Sequence, residues 1–222
     1  MSNPSMNISL TRLSSLDPIR LSLYLLLIFH LIGVIGIAST WQDYFLPVTP
    51  INLLLAATIL FLNHSQRNLR FWMFCTISFS IGFLFEYLGV QTGAIFGEYA
   101  YGEVLGWKLG GVSVIIGVIW AVLTYCTGVI SNALPFHNIV KAIVGASLMV
   151  GLDFLIEPIA IKLEFWNWAI GYPPVQNYIG WFLIAFGLVY LFHRMKIHTD
   201  NAIAWGLFAI QVAFFGILNL IL

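Results

Sequence analysis

Three acidic residues lie inside strongly apolar stretches of the chain, where charged side chains are rare. Glu86 stands near the end of one stretch, and Asp153 and Glu157 stand in the second half of another. Because residues four apart share a helix face, Asp153 and Glu157 would repel each other if both were ionised. We therefore expect at least one of the three acids to carry a proton at neutral pH. This is the state that a general acid requires, so the pattern favours proton-transfer chemistry.

The depth of these acids in a membrane decides how costly they are. A charged side chain at the centre of a spanning helix costs roughly 2.5–3.5 kcal/mol. The cost falls towards the interface, so hydrated acids near a helix end are the alternative interpretation. Pro158 directly follows Glu157 and predicts that the helix stops or kinks there. Such a break would direct the Glu157 carboxyl group at a cavity.

Two segments that follow the acids are rich in glycine and aromatic residues. The glycines in residues 89–108 predict turns and close backbone approaches, and residues 165–181 combine tryptophans with glycine, proline and asparagine. An aromatic belt at the membrane interface accounts for part of this pattern. Backbone that lines a cavity accounts for the glycines, prolines and asparagine as well. The candidate substrate-binding residues are Tyr99, Tyr101, Trp166, Trp168, Asn177 and Trp181.

The composition shows what kind of protein must position these residues. Of the 222 residues 60% are hydrophobic and only 8% are charged, and the mean hydropathy is +0.95. Soluble domains carry roughly 25% charged residues, so a soluble domain is excluded. A membrane span needs about 20 mostly apolar residues. Seven stretches qualify, at about residues 18–38, 47–63, 71–89, 109–131, 139–158, 178–193 and 201–221. We predict an all-α, polytopic transmembrane helix bundle.

The basic residues predict the orientation of this bundle. Seven of them fall on the face that holds the N-terminus and two on the opposite face, namely Arg12, Arg20, Arg67, Arg70, Lys141, Arg194 and Lys196 against Lys108 and Lys162. The positive-inside rule therefore places the N-terminus in the cytoplasm. We expect the protein to lie in the inner (plasma) membrane of the cell. Residues 1–222 are expected to form one domain, with residues 1–17 as a flexible or interfacial leader. The acids show the opposite bias, since most of them lie at or near the outer face. We therefore expect the chemistry in the outer half of the bundle.

Several other kinds of site are disfavoured. The net charge of zero leaves no basic surface for nucleic acid. Cys75 and Cys126 lie in apolar runs without CxxC spacing, so they are expected to be packing residues. The histidines lack metal-ligand spacing, and His30 is expected to form a hydrogen bond between helices. No nucleotide-binding motif occurs either, so we expect neither a metal nor a cofactor.

The chain resembles the membrane carotenoid-biosynthesis family that includes bisanhydrobacterioruberin hydratase and the carotenoid 1′,2′-hydratases. The similarity covers about residues 80–195, and the first two spans match in hydropathy only. The matching residues are 86–89, 92–93, 96–97, 99–101, 105–106, 111–112, 120, 153, 157–158, 166–168, 172, 174, 177 and 180–181. Two positions depart from the family pattern: Ser113 stands in place of a proline, and Glu157 stands where many members have aspartate.

The resemblance implies that water is added to the terminal double bond of an acyclic carotenoid ψ-end, giving a tertiary alcohol. A positioned acid must protonate the alkene, and aromatic rings can stabilise the resulting cation. The implied proton donor is Glu157 or Asp153, and Glu86 would orient the water. The polyene would remain among the membrane lipids. The expected partners are therefore the acyclic carotenoid, the membrane lipids and other enzymes of the pathway.

Two further functions are compatible with the residues. Intramembrane acids also mark proton paths, so a small transporter is one alternative, although no inverted repeat with matching broken helices is visible. A carotenoid end-group cyclase is the other. It also protonates an alkene, but a neighbouring double bond captures the cation.

Overall fold

The computed structural model describes residues 17–222. The predicted leader, apart from its last residue, and Arg12 therefore lie outside the described residues. Asp17 is the N-cap of the first helix, and its side chain accepts a hydrogen bond from the backbone N–H of Ile19 at 3.1 Å. This bond satisfies one of the backbone donors that a helix leaves free at its N-terminus.

Within residues 17–222 seven helical segments are long and apolar enough to cross a membrane, so the predicted transmembrane helix bundle is confirmed. The second segment consists of a short helix, a 3-10 turn at Leu46–Val48 and a longer helix. The helices are α1 (Pro18–Ile37), α2 (Gln42–Phe45), α3 (Thr49–Leu62), α4 (Leu69–Thr92), α5 (Ile115–Asn132), α6 (Asn138–Lys162), α7 (Val175–Arg194) and α8 (Ala202–Ile221). The cytoplasmic location of the N-terminus stays a prediction.

Helix α5 is the central helix of the bundle. In its membrane-spanning stretch 78% of the residues are buried inside the protein, compared with 17–39% in the other six spans. Glycines permit close packing against α4: a Cβ added at Gly82 would lie 2.2 Å from the Trp120 ring. Trp120 is fully buried as a result. Helices α3, α4, α6, α7 and α8 pack around α5, while α1 packs against α3 and α8. Apolar residues are exposed on the outside of the bundle, as expected in lipid.

Short strands join the helix ends on the predicted outer side. Strand β1 (Tyr99–Tyr101) pairs antiparallel with β4 (Trp166–Trp168), while β2 (Lys108–Leu109) and β3 (Val112–Ser113) form a small hairpin. In the β1–β4 register Tyr99 lies opposite Trp168 and Tyr101 opposite Trp166. Since alternate residues of a strand share a face, these four aromatic side chains lie on one face of the strand pair.

The structure corrects three predictions about the helices. The fourth span begins at Ile115 and not at 109, because Gly110 and Gly111 have positive φ and turn the chain into the β2–β3 hairpin. Helix α6 continues through Pro158 to Lys162, so of the two outcomes predicted there, a stop or a kink, the stop is wrong. The proline removes only one backbone donor, and the buried residues that follow it hold the helix in place. Helix α7 begins at Val175 and not at 178, so Asn177 belongs to its first turn.

Two predictions about single residues have different outcomes. Cys75 and Cys126 are free and buried in the apolar core, which confirms the packing interpretation. The hydrogen bond expected from His30 to another helix is wrong, because its Nδ1 bonds to the carbonyl oxygen of Leu26 on the same helix at 2.7 Å. The ring instead meets Phe214 of α8 edge-on, with 5.6 Å between centroids.

Candidate active site

A cavity of about 280 Å³ lies inside the half of the bundle that is predicted to be the outer one. Its wall includes residues from all of the helices α1 to α8 and from the β1–β4 strand pair. All nine of the residues predicted from the sequence line it, which are Glu86, Tyr99, Tyr101, Asp153, Glu157, Trp166, Trp168, Asn177 and Trp181. Residues from three separate regions of the chain are thus brought around one space.

Glu86 on α4 is buried, and three donors converge on its carboxyl group. The hydroxyls of Tyr99 and Tyr101 donate to Oε2 at 2.6 and 2.7 Å. The indole N–H of Trp120 donates to Oε1 at 3.1 Å. All three donors are uncharged, so hydrogen bonds and not a counter-ion hold this carboxyl group inside the protein.

Glu157 on α6 is held in a similar way by the other strand of the pair. The indole N–H groups of Trp166 and Trp168 donate to Oε2 at 3.1 and 2.8 Å. The side-chain amide of Asn177 donates to Oε1 at 3.3 Å. Strand β1 therefore supplies donors to one glutamate and strand β4 to the other.

Asp153 differs from both glutamates in its hydrogen bonding. It lies one turn before Glu157 on α6 and is 1% exposed. Its Oδ2 accepts a bond from the Asn177 amide at 3.0 Å. Its Oδ1 is buried without a hydrogen-bond partner among residues 17–222. Asp153 is thus the acid whose carboxyl group has an oxygen free to hold a proton or meet a ligand.

The two tyrosines of β1 are neutral hydrogen-bond donors over the physiological range. Burial raises the pKa of the Tyr99 phenol, and the nearby Glu86 carboxylate raises it further. The pKa of Tyr101 lies well above its ordinary value for the same two reasons, with burial again the larger. A phenol that keeps its proton can donate to Glu86, so these shifts fit the observed bonds.

Aromatic rings form much of the wall around the three acids. The rings of Tyr99 and Trp168 are 4.9 Å apart between centroids. Trp120 and Trp181 stack at 4.4 Å, with 27° between their planes. The arrangement surrounds a group of carboxylates with electron-rich rings, and both kinds of group stabilise positive charge.

A glycine allows the strand pair to lie close over the cavity. The Gly102 N–H donates to the carbonyl oxygen of Phe165 at 2.9 Å. A Cβ at this position would lie only 1.8 Å from the carbonyl oxygen of Glu164. Any side chain at Gly102 would therefore push β1 away from β4.

Most of the other acids predicted on the outer side take no part in the cavity. Glu103 forms an ion pair with Lys108 at 2.8 Å on the surface, and Asp43, Glu98 and Glu164 are exposed. The acid bias of the outer half is thus only partly due to the candidate site. Among residues 17–222 no group of three His, Cys, Asp or Glu side chains is placed to hold a metal ion.

Sequence reasoning missed several residues of the site. Trp120 lay in the matching pattern but was not assigned to the site, although its indole N–H bonds directly to the Glu86 carboxyl group. His30 and Gln211 line the cavity from α1 and α8. For Gln211 a signal existed, because an amide in the middle of an otherwise apolar span is costly unless it has a partner.

The comparisons with known proteins extend the similarity seen in the sequence. A family model described as carotenoid biosynthesis protein matches residues 48–222. The match begins at the second span, so it is wider than the resemblance over about residues 80–195. No curated protein and no solved structure matches the chain.

Proposed function

This chain belongs to the carotenoid biosynthesis protein family, and we propose that it is a hydratase that adds water to the terminal double bond of an acyclic carotenoid end. The single observation that carries the proposal is the unequal hydrogen bonding of the three buried acids. It separates one acid that has an oxygen free to give a proton from two acids whose oxygens all accept hydrogen bonds. The role in carotenoid biosynthesis follows from the family itself, and the reaction type is our proposal.

Asp153 is the proton donor in this proposal. An isolated alkene is a weak base, so the proton must come from an acid whose oxygen reaches the substrate. Oδ1 of Asp153 has no protein partner in residues 17–222, whereas both oxygens of Glu86 and of Glu157 accept hydrogen bonds. The sequence left Asp153 and Glu157 open as donors, and this difference favours Asp153.

The remaining residues suit the steps after protonation. Transfer of the proton to the terminal CH carbon leaves a tertiary cation, and the rings of Tyr99 and Trp168 with the two glutamates lower its free energy. A water oriented by Glu86 adds to the cation. The proton that this water loses returns to the carboxyl cluster, so Asp153 is restored and no proton is consumed overall.

The size and position of the cavity fit a substrate that stays mostly in lipid. Ligand pockets of proteins are commonly about 300–1,000 Å³, so a cavity of about 280 Å³ suits the end of a long polyene and not the whole molecule. Phe29, Ile32 and Val48 line the cavity and are 41–47% exposed on the surface of the bundle. We propose that the chain end enters from the bilayer between α1 and α3.

The test is expression of the protein in a bacterial host that accumulates lycopene, followed by chromatography and mass analysis of the pigments. Hydration gives a more polar pigment heavier by one water. A new pigment of unchanged mass would contradict hydration and support a cyclase. Unchanged pigment with folded protein in the membrane would refute the reaction on this substrate.

The assignment of Asp153 has its own test. Asp153→Asn removes the proton but keeps the size of the side chain and an oxygen, so we expect product formation to fall about 10²–10⁴-fold, the usual contribution of a general acid. Asp43→Asn changes an exposed aspartate on the same side and is the matched control. Product formation by Asp153→Asn close to that of the control would refute the assignment.

A further inference from the structure

Two further polar side chains line the cavity besides the residues around the three acids. Gln211 on α8 and His30 on α1 both line it and are 9% and 7% exposed. The Oε1 atom of Gln211 is buried with no hydrogen-bond partner among residues 17–222. A buried amide oxygen without a partner is unfavourable, so its presence inside an apolar span indicates a ligand.

His30 offers a complementary atom on the neighbouring helix. Its Nδ1 lies 2.7 Å from the carbonyl oxygen of Leu26. Because a carbonyl can only accept, Nδ1 carries the hydrogen, and in the neutral ring Nε2 has only a lone pair. The imidazole therefore presents a hydrogen-bond acceptor beyond its own helix.

Gln211 and His30 belong to the same contact between α1 and α8. The His30 ring meets Phe214 edge-on, and Gln211 precedes Phe214 by three residues, so both lie on one side of α8. Gln211 is ten residues before the end of α8, which corresponds to a depth of roughly 15 Å at 1.5 Å per residue. This depth is near the middle of a hydrocarbon core of about 30 Å.

We propose that Gln211 and His30 form a second polar subsite that binds one oxygen group of the hydroxyl type. A hydroxyl group both donates and accepts, so it can donate to Nε2 of His30 and bond to the Gln211 amide. Two sources have this chemistry: a water molecule held near the cation, or a hydroxyl group carried by the carotenoid. The inference rests on the proposed function for the identity of the long-chain ligand.

The test compares Gln211→Leu with the wild-type protein in lipid nanodiscs, using two probes, lycopene and its tertiary monoalcohol. Both the pigment retained after purification and the rate of product formation are measured. Asn219→Leu is the matched control, since Asn219 is an exposed amide on the same helix and bonds to the carbonyl oxygens of Leu155 and Phe215.

The two sources give different results. If the subsite holds water, Gln211→Leu slows product formation from both pigments about tenfold, and pigment retention is unchanged. If it holds a hydroxyl group of the substrate, the variant retains about tenfold less monoalcohol and the same amount of lycopene. Retention and rates equal to those of the wild type for both pigments would overturn the proposal.

Stability supplies a readout that does not depend on activity. An amide without a partner is expected to be replaced by leucine at no loss of stability, so the unfolding midpoint of the empty Gln211→Leu protein should not fall. A lower midpoint would show that the amide has a structural partner and would overturn the proposal. If the wild type forms no hydrated product from either pigment, the proposed function fails, and retention of the two pigments alone decides on the subsite.

Discussion

Gly102→Ala tests whether the β1–β4 strand pair positions the acids. In the wild type a Cβ at this position would lie 1.8 Å from the carbonyl oxygen of Glu164, whereas real Cβ contacts stay beyond 3.0 Å. The strands must therefore separate locally by at least 1.2 Å, the difference between these two distances. The opposing atom belongs to the backbone, so no side-chain rotation can relieve the contact.

The magnitude follows from the bonds that depend on this spacing. The hydroxyls of Tyr99 and Tyr101 lie 2.6 and 2.7 Å from Glu86, and a shift of this size would stretch both contacts beyond hydrogen-bond range. Loss of these two bonds and of the bond from Gly102 to Phe165 at about 1 kcal/mol each gives a destabilisation of roughly 3 kcal/mol. Misplacement of catalytic groups by about 1 Å costs on the order of 10²-fold in rate.

The assay measures two quantities on purified protein, the free energy of unfolding in mixed micelles and the rate of pigment conversion. The matched control is Gly151→Ala on α6, where a Cβ would have nothing within 4 Å. That control should be unchanged or stabilised by about 0.5–1 kcal/mol, because alanine is the better helix former. If Gly102→Ala matched the control in both quantities, the strand pair would not position the acids, and the reasoning would be refuted.

Three further predictions use other parts of the structure. Glu86→Gln should destabilise the protein by about 2–4 kcal/mol in the same micelle assay. The NH₂ group of the glutamine must face one of the three donors, such as the Trp120 N–H, and that donor is left unpaired. Stability equal to that of the wild type would contradict the three-donor site. Tyr99→Phe should leave the phenolate absorbance that develops up to about pH 11 unchanged, because burial raises the pKa of Tyr99; a smaller absorbance would show that Tyr99 ionises in that range. In a variant without Cys75 and Cys126, the substitutions Trp107→Cys and Ser65→Cys test the orientation with an impermeant maleimide added to intact cells. The cysteine at position 107 should react and the one at position 65 should not, as the positive-inside rule requires. The reverse result would show that the orientation is inverted.

Much of the fold could be predicted because a membrane imposes simple rules on the sequence. Long apolar stretches must be helices, so the number of spans and most of their ends follow from hydropathy. Hydropathy predicts the end of a helix wrongly where apolar residues lie outside the helix. Residues 109–114 are apolar enough to extend the fourth span, but Gly110 and Gly111 turn the chain into a hairpin before α5 begins. Pro158 led to the opposite error, a predicted helix stop where the helix continues, since a single missing donor does not end a well-packed helix.

The members of the candidate site were easier to predict than their roles. Acids in apolar stretches and an aromatic, glycine-rich outer side pointed to nine residues that line the cavity, because both features are costly or unusual in a bundle that only spans a membrane. Their roles depend on which oxygen accepts which bond, and this requires the register of β1 with β4. Three-residue strands separated by more than sixty residues leave no periodic signal of their pairing in a sequence.

The polar atoms of the cavity decide between the two reactions that an acid can start on a polyene end. In the proposed function, protonation by Asp153 would be common to hydration and to cyclisation, so Asp153→Asn should slow both reactions. The outcome then depends on whether water or a neighbouring double bond reaches the cation first. An apolar wall favours the double bond, whereas polar groups that fix a water favour the alcohol. The buried oxygen of Gln211 lines the same cavity and is available to hold water. Replacing Gln211 with leucine while keeping Asp153 should therefore change the ratio of alcohol to cyclic product in favour of the cyclic product wherever the substrate is able to cyclise.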